Sequence, residues 1–199
     1  MADHDINKAR RRFLVGATAV VGAVGVVGAA VPFVAAWKPS ARARAAGAPV
    51  RADISKLRPG QRMTVEWRGR PVWIIRRTPE MIARTQALSP GVLADPDSRQ
   101  PQQPAYADGE LRSLKPEIGV LVGLCTHFGC SPLYRPEPDA AESSSDGWPG
   151  GFYCPCHGSR FDLAGRVYVN MPAPTNLEVP PYRFLDDVII EIGEDGEFS

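Results

Sequence analysis

The chain has 199 residues, room for one domain of moderate size plus extras, and a formal net charge of +1. That charge is uneven: residues 1–51 hold eight Lys/Arg against two Asp, and residues 52–199 hold fifteen Lys/Arg against twenty Asp/Glu. A basic head beside an apolar run speaks for membrane topology rather than nucleic acid, the acidic remainder argues further against a nucleic-acid partner, and twenty Pro with nineteen Gly indicate a loop-rich fold, short of a disordered composition.

Residues 1–12 are a short, polar, basic N-terminus, and His4 within them reads as a solvated tail histidine. Arg10-Arg11-Arg12-Phe13-Leu14 resembles the twin-arginine export signal, a receptor-read address; the competing reading is an ordinary basic flank. Phe13 to Trp37 is 25 residues without a charge. A helix of that length rises about 37 Å, enough to cross a ~30 Å hydrocarbon core with tilt. Gly16, Gly22, Gly25 and Gly28 permit close packing against partner helices, Pro32 predicts a kink, and Trp37 suits the interface. Small residues near Ala41 and Ala43 mimic a cleavage site, but the apolar stretch exceeds that of an ordinary signal peptide, so a retained anchor is expected. Residues 38–50, KPSARARAAGAPV, carry no hydrophobic periodicity and read as a linker.

From Arg51 the pattern becomes β-like. Met63–Trp67 and Val72–Arg76 predict a hairpin around Arg68-Gly69-Arg70-Pro71. Pro79–Leu88 predicts a short helix with Thr78 as N-cap and Pro79 in its first position. Residues 89–110, rich in Pro, Gln and Asp, are expected as surface loop. Ile118–Leu124 is an apolar, β-branched run that feeds a cysteine loop. Arg135–Gly151 is a Pro-, Ser- and acid-rich surface excursion, and Gly151–Tyr153 leads into a second cysteine loop. Tyr182–Leu185 and Val188–Ile192 predict a final hairpin through Asp186-Asp187.

The two loops are Cys125-Thr126-His127-Phe128-Gly129-Cys130 and Cys154-Pro155-Cys156-His157-Gly158-Ser159; they hold all four cysteines and two of the three histidines. Three uses compete. A zinc site takes Cys125, His127, Cys154 and His157. Plain disulfides have three possible connectivities. A two-iron cluster takes two Cys on one iron and two His on the other, as in Rieske centres. Spacing favours the last. Cys-x-His is tighter than the usual zinc pairs, and zinc leaves Cys130 and Cys156 without a role. Two imidazoles in place of two thiolates bring the oxidised cluster from a charge of about −2 to about 0, which makes an added electron easier to accept. Oxidised iron also favours the deprotonated ring, so electron gain and proton gain are coupled.

These loops resemble the boxes of the Rieske iron–sulfur proteins of cytochrome bc1 complexes, C-T-H-L-G-C and C-P-C-H-G-S, departing only in Phe128 for the leucine. The likeness covers nearly the whole chain. It implies an all-β Rieske fold, a small antiparallel β-sandwich with a cluster-binding subdomain, on a single N-terminal transmembrane α-helix. Residues 13–37 would be the anchor, 38–50 a flexible hinge and 51–199 the [2Fe-2S] domain. It implies Cys125, His127, Cys154 and His157 as ligands of one [2Fe-2S] cluster, a Cys130–Cys156 disulfide, His157 facing and hydrogen-bonding the quinol, and the Ser159 hydroxyl pointing at a bridging sulfide. Met171-Pro172-Ala173-Pro174 resembles the family's proline loop, usually Gly-Pro-Ala-Pro, over the cluster. Phe161 stands where many relatives have a tyrosine that donates to a cysteine sulfur.

The implied function is electron transfer in a quinol–cytochrome c reductase. The cluster would take one electron from ubiquinol at cytochrome b and pass it to cytochrome c1, contributing to proton translocation in a dimeric complex. Four Lys/Arg precede the span and four follow it, so charge does not orient it. The arginine signal and the implied disulfide do: N-terminus in the cytoplasm, head in the periplasm of a bacterial inner membrane. A Rieske subunit of another exported oxidase, such as arsenite oxidase, is the alternative, and a structural zinc module is the reading from a different class.

Overall fold

The structure, a computed structural model, describes residues 7–40, 47–138 and 148–194. The chain divides into two compact units, Met1–Ala45 and Ala46–Ser199. The first is a helix, α1, Lys8–Ala36. Asn7 caps it, its side-chain oxygen accepting from the Arg10 N–H at 3.1 Å. The helix therefore begins five residues before the uncharged stretch and carries Arg10, Arg11 and Arg12 in its opening turns; Trp37 is its C-cap. None of its residues is buried. Exposing Phe13, Val20, Val24, Val27 and Phe33 to water is unfavourable, and α1 is long and apolar enough to cross a membrane. Pro32 lies inside it, where the missing N–H removes one helical hydrogen bond. Of the expected linker, residues 41–46 lie outside the described residues.

Among the described residues, the second unit is β apart from one short α-helix and two single 3-10 turns, Pro90–Val92 and Ala105–Ala107. Its strands are β1 Val50–Asp53, β2 Arg62–Trp67, β3 Arg70–Arg76, β4 Ile118–Val122, β5 Leu133–Arg135, β6 Gly151–Tyr153, β7 Arg160–Phe161, β8 Tyr182–Phe184 and β9 Ile189–Ile192. They form three antiparallel three-stranded sheets, ordered β1-β9-β8, β2-β3-β4 and β5-β6-β7. Val50, placed in the linker from sequence, already pairs with Ile192, so the β unit starts one residue earlier than expected.

The first hairpin is tighter than expected. Trp67 pairs with Arg70, which leaves only Arg68 and Gly69 in the turn, at φ +52° and +71°. Two consecutive positive φ values make the primed turn whose twist suits a two-residue hairpin. Arg68 offsets some of the strain by laying its guanidinium over the Trp67 ring, 4.5 Å from the centroid. The helix α2, Pro79–Gln86, starts on the expected Thr78 cap, whose hydroxyl accepts from the Met81 N–H at 3.2 Å. The final hairpin joins β8 to β9, with Asp186 accepting from the N–H groups of Val188 and Ile189.

Two segments expected on the surface contribute to the core. Residues 89–110 bury Leu93, Ser98 and Ala107. The Tyr106 hydroxyl there donates to the Tyr182 carbonyl at 2.9 Å and accepts from the Tyr182 N–H at 2.7 Å, fastening the loop to β8. In the excursion between the cysteine loops, residues 139–147 lie outside the described residues, but Trp148 at its end is 1% exposed and packs with Leu93 and Tyr168.

Two features carry the core up to the cysteine loops. Trp73 of β3 stacks on Phe152 of β6, centroids 5.1 Å apart, joining two sheets. Gly123, just past β4, lets the Trp73 indole cross the chain: a Cβ there would lie 2.3 Å from the ring.

Candidate metal centre

The two cysteine loops fold alike. The Cys125 N–H donates to the Cys130 carbonyl at 2.7 Å, and the Gly129 N–H to the Cys125 carbonyl at 2.8 Å. In the second loop the Cys154 N–H donates to the Ser159 carbonyl at 2.8 Å, and the Gly158 N–H to the Cys154 carbonyl at 2.9 Å. Each turn needs a left-handed residue in its fifth position, and Gly129 (φ +75°) and Gly158 (φ +79°) supply it. The similarity of the two boxes is thus a repeat of backbone conformation as well as of composition. β4 delivers the first loop, and the second bridges β6 and β7.

Cys130 and Cys156 are joined by a disulfide, which ties the loops to each other. Cys125 and Cys154 are free and buried. Burial pushes the Cys125 thiol up, the Cys154 side chain adds to that shift, and hydrogen bonds from the His127 backbone and the Ser159 hydroxyl oppose it. The His127 and His157 rings stand 4.7 Å apart, edge to face. His127 is half-buried beneath Phe128, whose ring lies 4.0 Å from it, and its Nδ1 is buried with no hydrogen-bond partner. His157 is exposed.

A third loop closes on these two. The Ser159 hydroxyl accepts from the Ala173 N–H at 3.1 Å, and the Thr126 hydroxyl donates to the Thr175 carbonyl at 2.7 Å. Both boxes are therefore fastened to the segment that contains Met171-Pro172-Ala173-Pro174. Met171 packs against both hydrophobic clusters, which gives the residue standing in place of glycine an anchoring role.

Cys130, Cys154 and Cys156 also lie together, their Sγ atoms all within 4.8 Å. With two of those sulfurs bonded to each other, this trio offers a metal one free thiol. The set Cys125, Cys154, His127 and His157 is the better donor set. Its two thiols are buried and free, and its orphaned imidazole nitrogen sits beside a second imidazole. A buried ring nitrogen without a partner is costly unless something binds it. Two sulfurs and two imidazoles on paired loops fit a two-iron centre with two Cys and two His.

The structure links the sequence-indicated loops pairwise: a disulfide joins Cys130 to Cys156, the rings of His127 and His157 are adjacent, and Ser159 is bonded to Ala173 of the proline loop. His4 lies outside the described residues. Phe161 is fully buried in the cluster of core residues that also contains Cys125 and Cys154.

Sequence reasoning missed the buried charges that hold residues 111–116 and the turn after β7. Arg77 is 2% exposed and donates to the carbonyls of Leu163, Pro116 and Leu111 and to the Ser113 hydroxyl. Arg112 is fully buried and donates to the Ala164 carbonyl. Burial lowers both guanidiniums to about 10, so both stay charged at neutral pH. Asp162 accepts from the N–H groups of Ala164 and Arg166 and pairs with the Arg166 side chain at 2.7 Å. Arginine is read from sequence as a surface residue, and nothing local marked these as buried.

A family model described as Rieske [2Fe-2S] domain matches residues 49–182. A second, described as Ubiquitinol-cytochrome C reductase Fe-S subunit TAT signal, matches residues 1–40. The ubiquinol-cytochrome c reductase iron-sulfur subunit of Allochromatium vinosum is 60% identical over 195 residues, covering 98% of this chain and 93% of the relative. Its counterparts in Blastochloris viridis and Rhodospirillum rubrum are 44% and 42% identical, covering 97% and 92% of this chain and 98% and 91% of theirs. Among solved structures, a chain of a hyperthermophilic respiratory Complex III aligns with 87% of this chain and 96% of its own length, at 27% identity and a TM-score of 0.47.

Proposed function

This chain belongs to the Rieske iron–sulfur family, and from that membership we propose that it is the electron-transfer subunit of a ubiquinol–cytochrome c reductase. The observation that carries the reading is the donor set itself: two buried free thiols and an unpartnered His127 nitrogen beside His157, on two matched loops. Near-full-length likeness to subunits of that name supports it. In this reading Cys125 and Cys154 would hold one iron and His127 and His157 the other, while the Cys130–Cys156 disulfide staples the loops. When bound, such a cluster supplies a one-electron acceptor of raised potential, roughly −150 to +300 mV, matched to a quinol donor.

The chain's own residues divide the remaining work. His157 is exposed and offers its outer ring nitrogen to a quinol hydroxyl, where it accepts the hydrogen bond and then the proton. His127 is screened by Phe128, so the two imidazoles are not equivalent. Ser159 accepts from the Ala173 N–H, and its hydroxyl also interacts with the Cys125 thiol, where it opposes the upward shift. The three fastened loops keep water from the buried thiols.

The partners in this reading are cytochrome b at the quinol site, cytochrome c1 as electron acceptor, and lipid around α1, in a dimeric complex. Residues 38–50 would tether anchor to head. The arginine signal and the disulfide favour an N-terminus in the cytoplasm and a head in the periplasm of the bacterial inner membrane. The test is an EPR spectrum of the reduced protein, together with the haem content of the detergent-solubilised complex. The expected results are the signal of a mixed-ligand two-iron centre and copurifying b- and c-type haems. Replacing Cys125, His127, Cys154 or His157 should abolish that signal. A colourless, zinc-loaded protein, or any one of these variants with an unchanged signal, overturns the assignment.

A further inference from the structure

The seam between the two cysteine loops is crowded with sulfur. The Sγ atoms of Cys130, Cys154 and Cys156 all lie within 4.8 Å of one another. Two of them form the disulfide, and the third is a free thiol. The other free thiol, Cys125, is outside this trio. Cys154 is also held in place. It is 1% exposed, and its backbone N–H and carbonyl are both engaged within its own loop. A free thiol fixed beside a disulfide is the arrangement from which thiol–disulfide exchange proceeds.

We propose that Cys154 is a disulfide-exchange site, silent while iron holds its sulfur and active once the iron is lost. The inference rests on the reading above in taking Cys154 as an iron ligand. The Cys154 sulfur attacks Cys130 Sγ, a Cys130–Cys154 bond forms, the Cys130–Cys156 bond breaks, and the Cys154 proton ends on the released Cys156 sulfur. Nothing is oxidised or reduced overall. The direction of attack follows from the chain. Attack on Cys156 would close a disulfide across the single residue Pro155, whose ring fixes the backbone there. Attack on Cys130 instead expels Cys156, which belongs to an exposed stretch of the loop.

With Cys154 consumed in a disulfide, the loops retain one of their two ligand thiols. The cluster cannot be rebuilt until that bond is opened, by return attack of the Cys156 thiol on Cys130 or by an added thiol reductant. The disulfide that staples the loaded loops is thus exchanged for one that blocks the emptied ones.

The experiment uses the purified full-length protein in detergent, after its EPR signal has been recorded. Iron is removed with a chelator and no reductant. Samples are quenched over time in acid with a maleimide, and labelled peptides are mapped by mass spectrometry. At the first time point the labelled pair should be Cys125 and Cys154. It should give way to Cys125 and Cys156, with a Cys130–Cys154 cross-linked peptide. Over the same interval, recovery of the EPR signal by ferrous iron and sulfide should fall, and prior dithiothreitol should restore it. Cys154→Ser should keep the Cys130–Cys156 bond throughout. Persistent labelling of Cys125 and Cys154 overturns the proposal, and so does a free Cys156 in Cys154→Ser, which would assign the exchange to Cys125. A missing EPR signal at the outset is a different failure: it overturns the ligand reading and with it the iron gate, while the labelling still reports whether exchange occurs.

Discussion

At the scale of single residues, Phe161 stands where the resemblance to Rieske proteins implies a tyrosine. It is fully buried, in the same core cluster as Cys125 and Cys154, and it has no proton to give. A hydrogen bond to a cluster sulfur stabilises the reduced form more than the oxidised one, because reduction adds negative charge there. A net hydrogen bond contributes roughly 0.5–1.5 kcal/mol, and ~1.4 kcal/mol corresponds to about 59 mV for one electron. Phe161→Tyr should therefore raise the midpoint potential by roughly 20–60 mV. Protein-film voltammetry of the two proteins, at one pH below the histidine titrations, checks this. A midpoint that stays or falls leaves Phe161 with a packing role alone. The ligand residues themselves were legible in the sequence because Cys and His are scarce and sit in two matched windows. Thr126, Arg77 and Arg112 were not. Their roles are hydrogen bonds to carbonyls 49, 86 and 52 positions away, and no local pattern encodes such a partner.

At the scale of elements, β9 holds the sheet of the terminal strands together through one carboxylate. Glu191 lies opposite Arg51 on β1 and opposite Arg183 on β8. Its oxygens accept from Arg51 Nε at 2.9 Å and Arg183 Nε at 2.8 Å. Hydrogen bonds from Arg51 and Arg183 hold the Glu191 carboxyl below its ordinary range. A lowered carboxylate stabilises the fold at and above its ordinary titration range and loses that effect as pH falls through the folded value. Glu191→Gln should lower the melting temperature at pH 7 by a few degrees, and the difference should vanish as the pH drops below the carboxylate range. Thermal unfolding of both proteins across pH tests it; a gap that persists in acid would mean that the cost is steric. Elements with local signals were legible in the amino-acid order alone: the Arg68-Gly69 hairpin, the Thr78-capped helix and the hairpin through Asp186. Residues 89–110 are mostly surface loop as expected, but the burial of Leu93, Ser98 and Ala107 within them, and of Trp148, was not legible. Their composition is polar, and their burial is decided by contacts with Tyr168, Tyr182 and Phe161 far along the chain.

At the scale of the whole molecule, the charge asymmetry and the disulfide pose a problem of compartments. A Cys130–Cys156 bond belongs on the oxidising side of a membrane, while the first turns of α1 carry Arg10, Arg11 and Arg12. Two accounts of that basic run make different predictions. As a topological flank, only its charge matters, and lysine serves as well as arginine. As a twin-arginine address it is read by a receptor, for which the guanidinium is not interchangeable with an ammonium. The match of residues 1–40 to a family model of that signal supports the second account. The double substitution Arg10→Lys, Arg11→Lys keeps the net charge and replaces one good helix former with another. It should nevertheless stop delivery of the folded head. In cells carrying it, protease added to spheroplasts should leave the head intact, and Cys130 and Cys156 should react with a thiol label because no disulfide has formed. The unaltered protein should be cleaved by the protease and unlabelled at both cysteines. Normal protease cleavage and an intact disulfide in the lysine variant would return the basic run to the role of a flank, and the orientation of α1 would then rest on the disulfide alone.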